Sequence, residues 1–284
     1  MQAGMRDPVV LVPLDALPAH GRTTHLAALY GRIFGRARTP STAWLEDRMA
    51  RGAVRLGASV VAARGDPTNP ADWCGLALVG LPPSLAPAAR AAGMGIVPES
   101  RGRGLGKRLV EAMCRRAADA GARTLEVTAH PRHVAFYGAL GFRHVRTVET
   151  WAAPATTGTP PRWSPAPPTC GGHVLATEIA ETWRCGRKPR HLVCTTDGTT
   201  VTARTVEVEG GCLVAELRSD RPPSGAGPLA ELRSLAGSGH VFVTGIAPDA
   251  PFRRLLPRAG FRLVQRAERM ARVLAPASAT SDGP

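Results

Sequence analysis

The residues of this chain whose types and spacing could do chemistry gather between 94 and 142. The run Ile96-Val97-Pro98-Glu99-Ser100-Arg101-Gly102-Arg103-Gly104-Leu105-Gly106-Lys107 reads as a strand stopped by a proline, a glycine-rich turn and the start of a long helix. Gly102, Gly104 and Gly106 let the backbone take angles closed to other residues and approach a ligand closely. The first turn of such a helix offers amides without intrahelical acceptors at its positive dipole end, a ready site for a pyrophosphate. Arg103, Lys107 and Arg108 add positive charge around it. The run lacks the GxxxxGK[ST] spacing of a P-loop, and it comes too late in the chain for a dinucleotide fingerprint. Taken alone, it also fits a plain helix start whose glycines serve packing. Three side chains downstream can handle protons. The Tyr137 phenol can donate to a leaving group that develops negative charge, or simply pack. Glu126 can accept a proton on its strand, or pair with a nearby arginine. His130 belongs to the residue type that titrates near neutrality, and can equally cap the short helix that follows it.

These residues need elements to hold them. Leu105, Leu109, Ala112, Met113 and Ala117 form one apolar stripe, so the spacing predicts a helix over 104–120, ended by Gly121. Helical spacing also covers His25 to Phe34, and Thr42 to Val54 with Ser41 or Thr42 as N-cap. Val9–Leu14, Ser59–Ala63, Gly75–Val79, Ala92–Val97, Thr124–Thr128 and Arg143–Thr150 read as strands, and Val134–Leu140 as a short helix. Strands alternating with helices predict an α/β (α+β) domain, a mixed sheet flanked by helices.

Ala152 to Thr169 carries six prolines and no apolar period, which predicts an extended linker. The division expected is a catalytic domain over 5–152, a linker over 153–169, a second domain over 170–275 and a disordered tail over 276–284. The second part repeats the outline of the first: strands at His191–Thr196 and Val201–Val208 flank an Asp197-Gly198 turn. A proline-opened helix follows over Pro228–Leu235, then a strand at Val241–Thr244, a helix at Phe252–Arg258 and a strand at Arg262–Leu274. The sharpest echo is Ala139-Leu140-Gly141-Phe142-Arg143 against Arg258-Ala259-Gly260-Phe261-Arg262. This is a duplicated unit with a shortened second copy. Where that copy needs a phosphate loop it has Arg221-Pro222-Pro223-Ser224-Gly225-Ala226-Gly227-Pro228, whose prolines lack amide donors, and its tyrosine position falls at or near Leu256.

The combined pattern resembles the GNAT superfamily of N-acetyltransferases. The family's strand ending V-x-P and its [Q/R]-x-x-G-x-[G/A] loop match Ile96 to Pro98 and Arg101 to Gly106. Its L-E-V and N-x-x-A-x-x-x-Y-x-x-x-G-F patterns resemble Leu125-Glu126-Val127 and His130 to Phe142, with His130 for the usual Asn and His133 for the usual Ala. The resemblance is strong over Gly93 to Val145. It implies acetyl-CoA as cofactor, with its pyrophosphate on the backbone of Gly102–Lys107 and its pantetheine arm along Met94, Gly95 and Ile96. Arg101, Gly102, Arg103, Gly104, Leu105, Gly106, Lys107 and His130 are thereby counted on the cofactor side. It further implies direct attack of an amine on the thioester, with Tyr137 as proton donor. Glu126 stands where the ribosomal-protein N-terminal acetyltransferases keep a proton-accepting glutamate, although the Glu126–His130 segment is one residue shorter here. Glu126, His130 or an ordered water are the candidate bases. The fold implied is GNAT-like, followed by a shortened second GNAT-like domain.

Composition bounds the alternatives. The chain has 284 residues, 44% hydrophobic and 5% aromatic, and a formal charge of +14. Of its basic residues only Lys107 and Lys188 are lysines, and the arginines are scattered without a dense block or a nucleic-acid-binding motif, so nucleic acid is not the expected partner. The six cysteines form no CxxC pair, and Cys170, His173, Cys185 and Cys194 match no standard zinc spacing, so no metal is expected. No run approaches the ~18 apolar residues of a membrane span, and Met1 to Val12 lacks a signal-peptide pattern, which points to a cytoplasmic protein with free thiols. The expected activity is acetyl transfer to a primary amine of a small molecule or peptide; the contrasting class is a non-catalytic coenzyme-A-binding or nucleic-acid-binding protein.

Overall fold

The computed structural model describes residues 8–35, 39–82, 86–156, 162–167, 173–177 and 190–275. Cys170, Cys185 and the tail 276–284 lie outside them. The chain divides into two compact units. Unit 1 comprises residues 1–128, 135–143 and 270–284, and unit 2 residues 129–134 and 144–269. Unit 1 thus takes residues from beyond the proline-rich stretch, and unit 2 takes residues from before it.

Unit 1 begins with β1 (Val9–Pro13), α1 (Arg22–Phe34) and α2 (Thr42–Arg51). α2 starts where expected, its N-cap Ser41 accepting from the Trp44 amide at 3.1 Å. Then come β2 (Val60–Arg64), β3 (Trp73–Gly80), β4 (Ala88–Ile96), α3 (Leu105–Asp119) and β5 (Thr124–Ala129). The short α4 (Val134–Ala139) follows. The strands lie in the order β1-β2-β3-β4-β5, antiparallel up to β4 and parallel between β4 and β5. β4 begins four residues before the strand read from sequence at Ala92, because Ala88–Ala91 lack an alternating pattern, yet Ala88–Arg90 pair with β5 and Arg90 and Ala91 with β3.

Register decides which faces the helices cover. Leu76 stands opposite Gly95 and Gly75 opposite Ile96. A Cβ on Gly95 would meet Ile33 of α1 at 2.2 Å, and one on Gly75 would meet Leu109 of α3 at 3.1 Å. Neighbouring residues of a strand point to opposite faces, so α1 and α3 cover opposite faces of the sheet. The apolar stripe of α3 is buried as its spacing requires, with Leu109, Val110, Met113 and Ala117 fully inside.

Unit 2 holds most of β6 (Arg143–Pro154), then β7 (Ser164–Pro165), β8 (His173–Thr177), β9 (Arg190–Thr196), β10 (Thr199–Val208) and β11 (Gly211–Ser219). α5 (Gly227–Ala230), β12 (His240–Ile246) and β13 (Arg262–Val273) complete it, the end of β13 from Met270 belonging to unit 1. Its strand order is β13-β6-β12-β11-β10-β9-β7, with β8 paired to β11. The Asp197-Gly198 turn has positive φ at both residues, +51° and +67°, as a two-residue hairpin loop demands.

The stretch expected to be a linker is packed where it is described. Ala152–Pro154 pair with β12, and the Ala155 and Thr156 amides donate to the Gly239 and Arg233 carbonyls. Trp163 is buried in the unit 2 core and donates to the Glu231 carbonyl. Apolar Trp and Ala among the prolines supply the burial that proline content alone does not reveal.

Candidate active site

The site is built in unit 1 around the parting of two strands. β4 and β5 pair only from Ala88↔Thr124 to Arg90↔Glu126, yet β4 runs on to Ile96 and β5 to Ala129. Among the described residues no strand takes the edge of β4 that β5 abandons over 91–96, where the Ala92 carbonyl accepts from Arg48 and the Ile96 carbonyl from Arg101. Unpaired N–H and C=O groups at a strand edge bind another extended chain of amides well.

At the end of β4 the chain turns through Pro98–Ser100 into the glycine loop. Gly102 and Gly104 both have φ +74°, a conformation L side chains rarely adopt, and a Cβ on either would point into open space. α3 starts at Leu105 without any side-chain cap. Its first-turn amides therefore lack both an intrahelical and a side-chain acceptor. Arg103, Lys107 and Arg108 are exposed around this turn. Such a cradle suits an anionic phosphate chemically, and it lies at the end of the open β4 edge.

Arg101 is placed differently from its neighbours. Its guanidinium donates to the Ile96 carbonyl at 3.0 Å and the Ile33 carbonyl at 3.1 Å, tying the loop to the ends of β4 and α1. Arg32 acts alongside it, donating to Glu99 at 2.9 Å and the Trp73 carbonyl at 3.3 Å. Arg108 likewise donates to the Val9 carbonyl. Their sequence separations give no short-range signal, so nothing in the sequence marks them as loop anchors.

Tyr137 lies in α4, almost buried between Phe136 and Phe142, whose rings meet it edgewise at 5.1 and 5.4 Å. Phe136 sits on the start of α3, 3.3 Å from where a Gly106 Cβ would be. Burial pushes the Tyr137 phenol up to about 12, so it stays protonated at neutral pH. Glu126 is half-buried at the last paired position of β5, opposite Arg90, and among the described residues it makes no ion pair. His130 caps the Pro131–His133 turn, its Nδ1 accepting from the Arg132 amide at 3.3 Å. Met94, Gly95 and Ile96 all fall on the open stretch of β4.

Strand, glycine-lined turn, helix and a second, parting strand thus follow one another in unit 1. Residues 58–144 match the acetyltransferase (GNAT) domain family, whose members bind acetyl-CoA. Similar solved structures extend over nearly the whole chain. One is a GCN5-related N-acetyltransferase from Sphaerobacter thermophilus, 16% identical, with TM-score 0.63, matched over 94% of this chain and 96% of that one. A putative acetyltransferase from Pyrococcus horikoshii is 12% identical with TM-score 0.59, over 95% and 90%. A tandem GNAT protein from the clavulanic acid biosynthesis pathway is 17% identical with TM-score 0.59, over 95% and 99%. At such identities the likeness is one of fold. No protein of curated function matches the chain in sequence. Among the described residues no helix is long and apolar enough to cross a membrane.

Proposed function

We propose that the protein moves the acetyl group of acetyl-CoA to a primary amine of a small molecule or of a peptide, at one site in unit 1. The observation that carries this reading is the open edge of β4 ending in an uncapped, glycine-lined helix start. The edge from Ala91 to Ile96, with Met94, Gly95 and Ile96, would hold the amide-bearing arm of the cofactor, and the backbone of Gly102–Lys107 its pyrophosphate. Arg101 contributes by fixing the loop, while Arg103 and Lys107 contribute charge. Bound acetyl-CoA supplies the thioester whose acetyl carbon the amine attacks. Tyr137 holds a proton at Oη for the sulfur as the carbon–sulfur bond breaks. Within unit 1, Glu126 or a water takes the proton the amine loses.

Unit 2 is read as a shortened GNAT-like copy without chemistry, in a cytoplasmic enzyme. The two Gly-Phe corners correspond closely: Gly141 and Gly260 have φ +81° and +85°, and Phe142 and Phe261 are each 3% exposed. The Phe142 amide donates to the Tyr137 carbonyl and the Phe261 amide to that of Leu256. Leu256 thus stands in the place of Tyr137 and has no proton to give. The test is release of free thiol from acetyl-CoA across a panel of sugar, antibiotic and peptide amines. Amine-dependent release is expected with at least one class. Tight acetyl-CoA binding without turnover on any amine would leave a binding protein instead.

A further inference from the structure

Unit 2 contains a parallel strand pair of the same kind as β4 and β5. β11 and β12 pair from Gly211↔His240 to Val214↔Val243 and then part, although β11 continues to Ser219 and β12 to Ile246. One edge of β11 is used by β10, whose partners run from Gly211 to Ser219 with a bulge at Ala215. The edge that β12 leaves is not open. β8 pairs antiparallel with it, Glu216↔Thr177, Leu217↔Ala176, Arg218↔Val174 and Ser219↔His173. The chain has therefore filled in unit 2 the same kind of gap that stays free beside β4 in unit 1.

The anion-binding end of that gap is altered as well. α5 has only four residues and carries Pro228 in its first turn, where an amide donor is needed. A Cβ on Gly227 would meet the Asp197 carboxylate at 2.5 Å, so an acidic group stands at this helix start. A negative charge there repels a phosphate at the place where unit 1 presents Arg103 and Lys107.

We propose that β8 is a resident substitute for a cofactor: a segment of the chain that occupies the groove of unit 2, satisfies its main-chain groups and closes it to coenzyme A. The proposal rests on the reading of unit 1 as the acetyl-CoA site. It makes unit 2 a closed scaffold, which has lost its groove to its own chain as well as losing its phosphate loop. Five residues of extended backbone are a reasonable stand-in, since an arm of amide groups and a strand offer the same donors and acceptors to an open edge.

Hydrogen exchange on the full-length protein tests this, with and without acetyl-CoA. Residues 174–177 and 216–219 are expected to be protected together in the free protein and unchanged by acetyl-CoA, while 91–96 gain protection. Leu175→Pro and Ala176→Pro between them remove a donor from each edge of β8. One of the two is expected to speed exchange at 216–219 by roughly tenfold or more. The acetyl-CoA stoichiometry is expected to stay at one per chain. Unprotected β8 amides, or acetyl-CoA lowering protection at 174–177 and 216–219, would overturn the proposal. Exchange at 216–219 that ignores both proline variants would overturn it too. A protein that binds no acetyl-CoA but keeps β8 protected would instead sink the reading of unit 1.

Discussion

Burial holds the Tyr137 phenol protonated up to about pH 12, which suits a donor and excludes a base at neutral pH. If it delivers the proton to the departing sulfur, Tyr137→Phe lowers turnover by roughly 10²–10⁴-fold while the dissociation constant of acetyl-CoA barely moves. The pH dependence carries a sign: the donor is lost on deprotonation and its pKa is raised, so Tyr137 adds no alkaline decline to the rate below about pH 11. Steady-state kinetics of the variant and a pH profile of the parent check both points, and unchanged turnover assigns Tyr137 to packing. At this scale the turn glycines were legible, because Gly102 and Gly104, both at φ +74°, follow a strand that stops at proline and precede an apolar helical stripe; Gly106 lies inside α3 without a positive φ. Arg101 was singled out by the loop motif, but its anchoring role was not legible, since its acceptors at Ile33 and Ile96 are backbone carbonyls that any residue would present.

At the scale of elements, unit 2 has a carboxylate with no exposure. Glu149 on β6 accepts from Arg253 at 2.6 and 3.0 Å and from the Trp151 indole at 3.0 Å, with Arg266 of β13 at 3.2 Å. Burial alone would raise its pKa, but the hydrogen bonds from Arg253 and Trp151, with the charges of Arg253 and Arg266, outweigh it and hold the group below the ordinary 4.5. A depressed pKa stabilises the fold above the unfolded value and ceases to do so as pH falls through the folded one. Glu149→Gln should cost about 1.5–3 kcal/mol, since it loses charge-assisted bonds while both arginines can still reach water. It should also flatten the acid limb below pH ~4.5; thermal melting between pH 3 and 7 reads both effects. Glu149 and Arg253 lie 104 residues apart, so no periodicity announces the cluster. The strands fared better in sequence where they alternate or stop at proline. β11 escaped sequence reading because Gly211–Ser219 is buried along most of its length and does not alternate.

For the whole molecule, the chain's end matters to unit 1. Met270 and Leu274 are buried, and the Leu274 amide donates to the Arg123 carbonyl beside β5, all within unit 1. A fragment of residues 1–154 therefore loses chain that completes unit 1, and leaves an edge and apolar surface bare. It should aggregate or retain little acetyl transfer, as solubility, melting and activity of the fragment would report; a soluble, fully active fragment contradicts this. The Gly-Phe corner that both units share was readable in the sequence, whereas the membership of 270–275 in unit 1 was not, because strand pairing across such a distance leaves no local mark.

The open β4 edge and the Gly102–Lys107 turn are proposed to form a single acetyl-CoA site. Gly104 has φ +74° and nothing within 4 Å of a Cβ, so an aspartate there strains the turn and places a negative charge where the pyrophosphate would lie. Calorimetric titration of acetyl-CoA into the full-length protein and into Gly104→Asp addresses the claim most directly. One site per chain is expected in the parent and no detectable binding in the variant, with the melting of unit 2 preserved. Two sites per chain, or undiminished binding to Gly104→Asp, would contradict it.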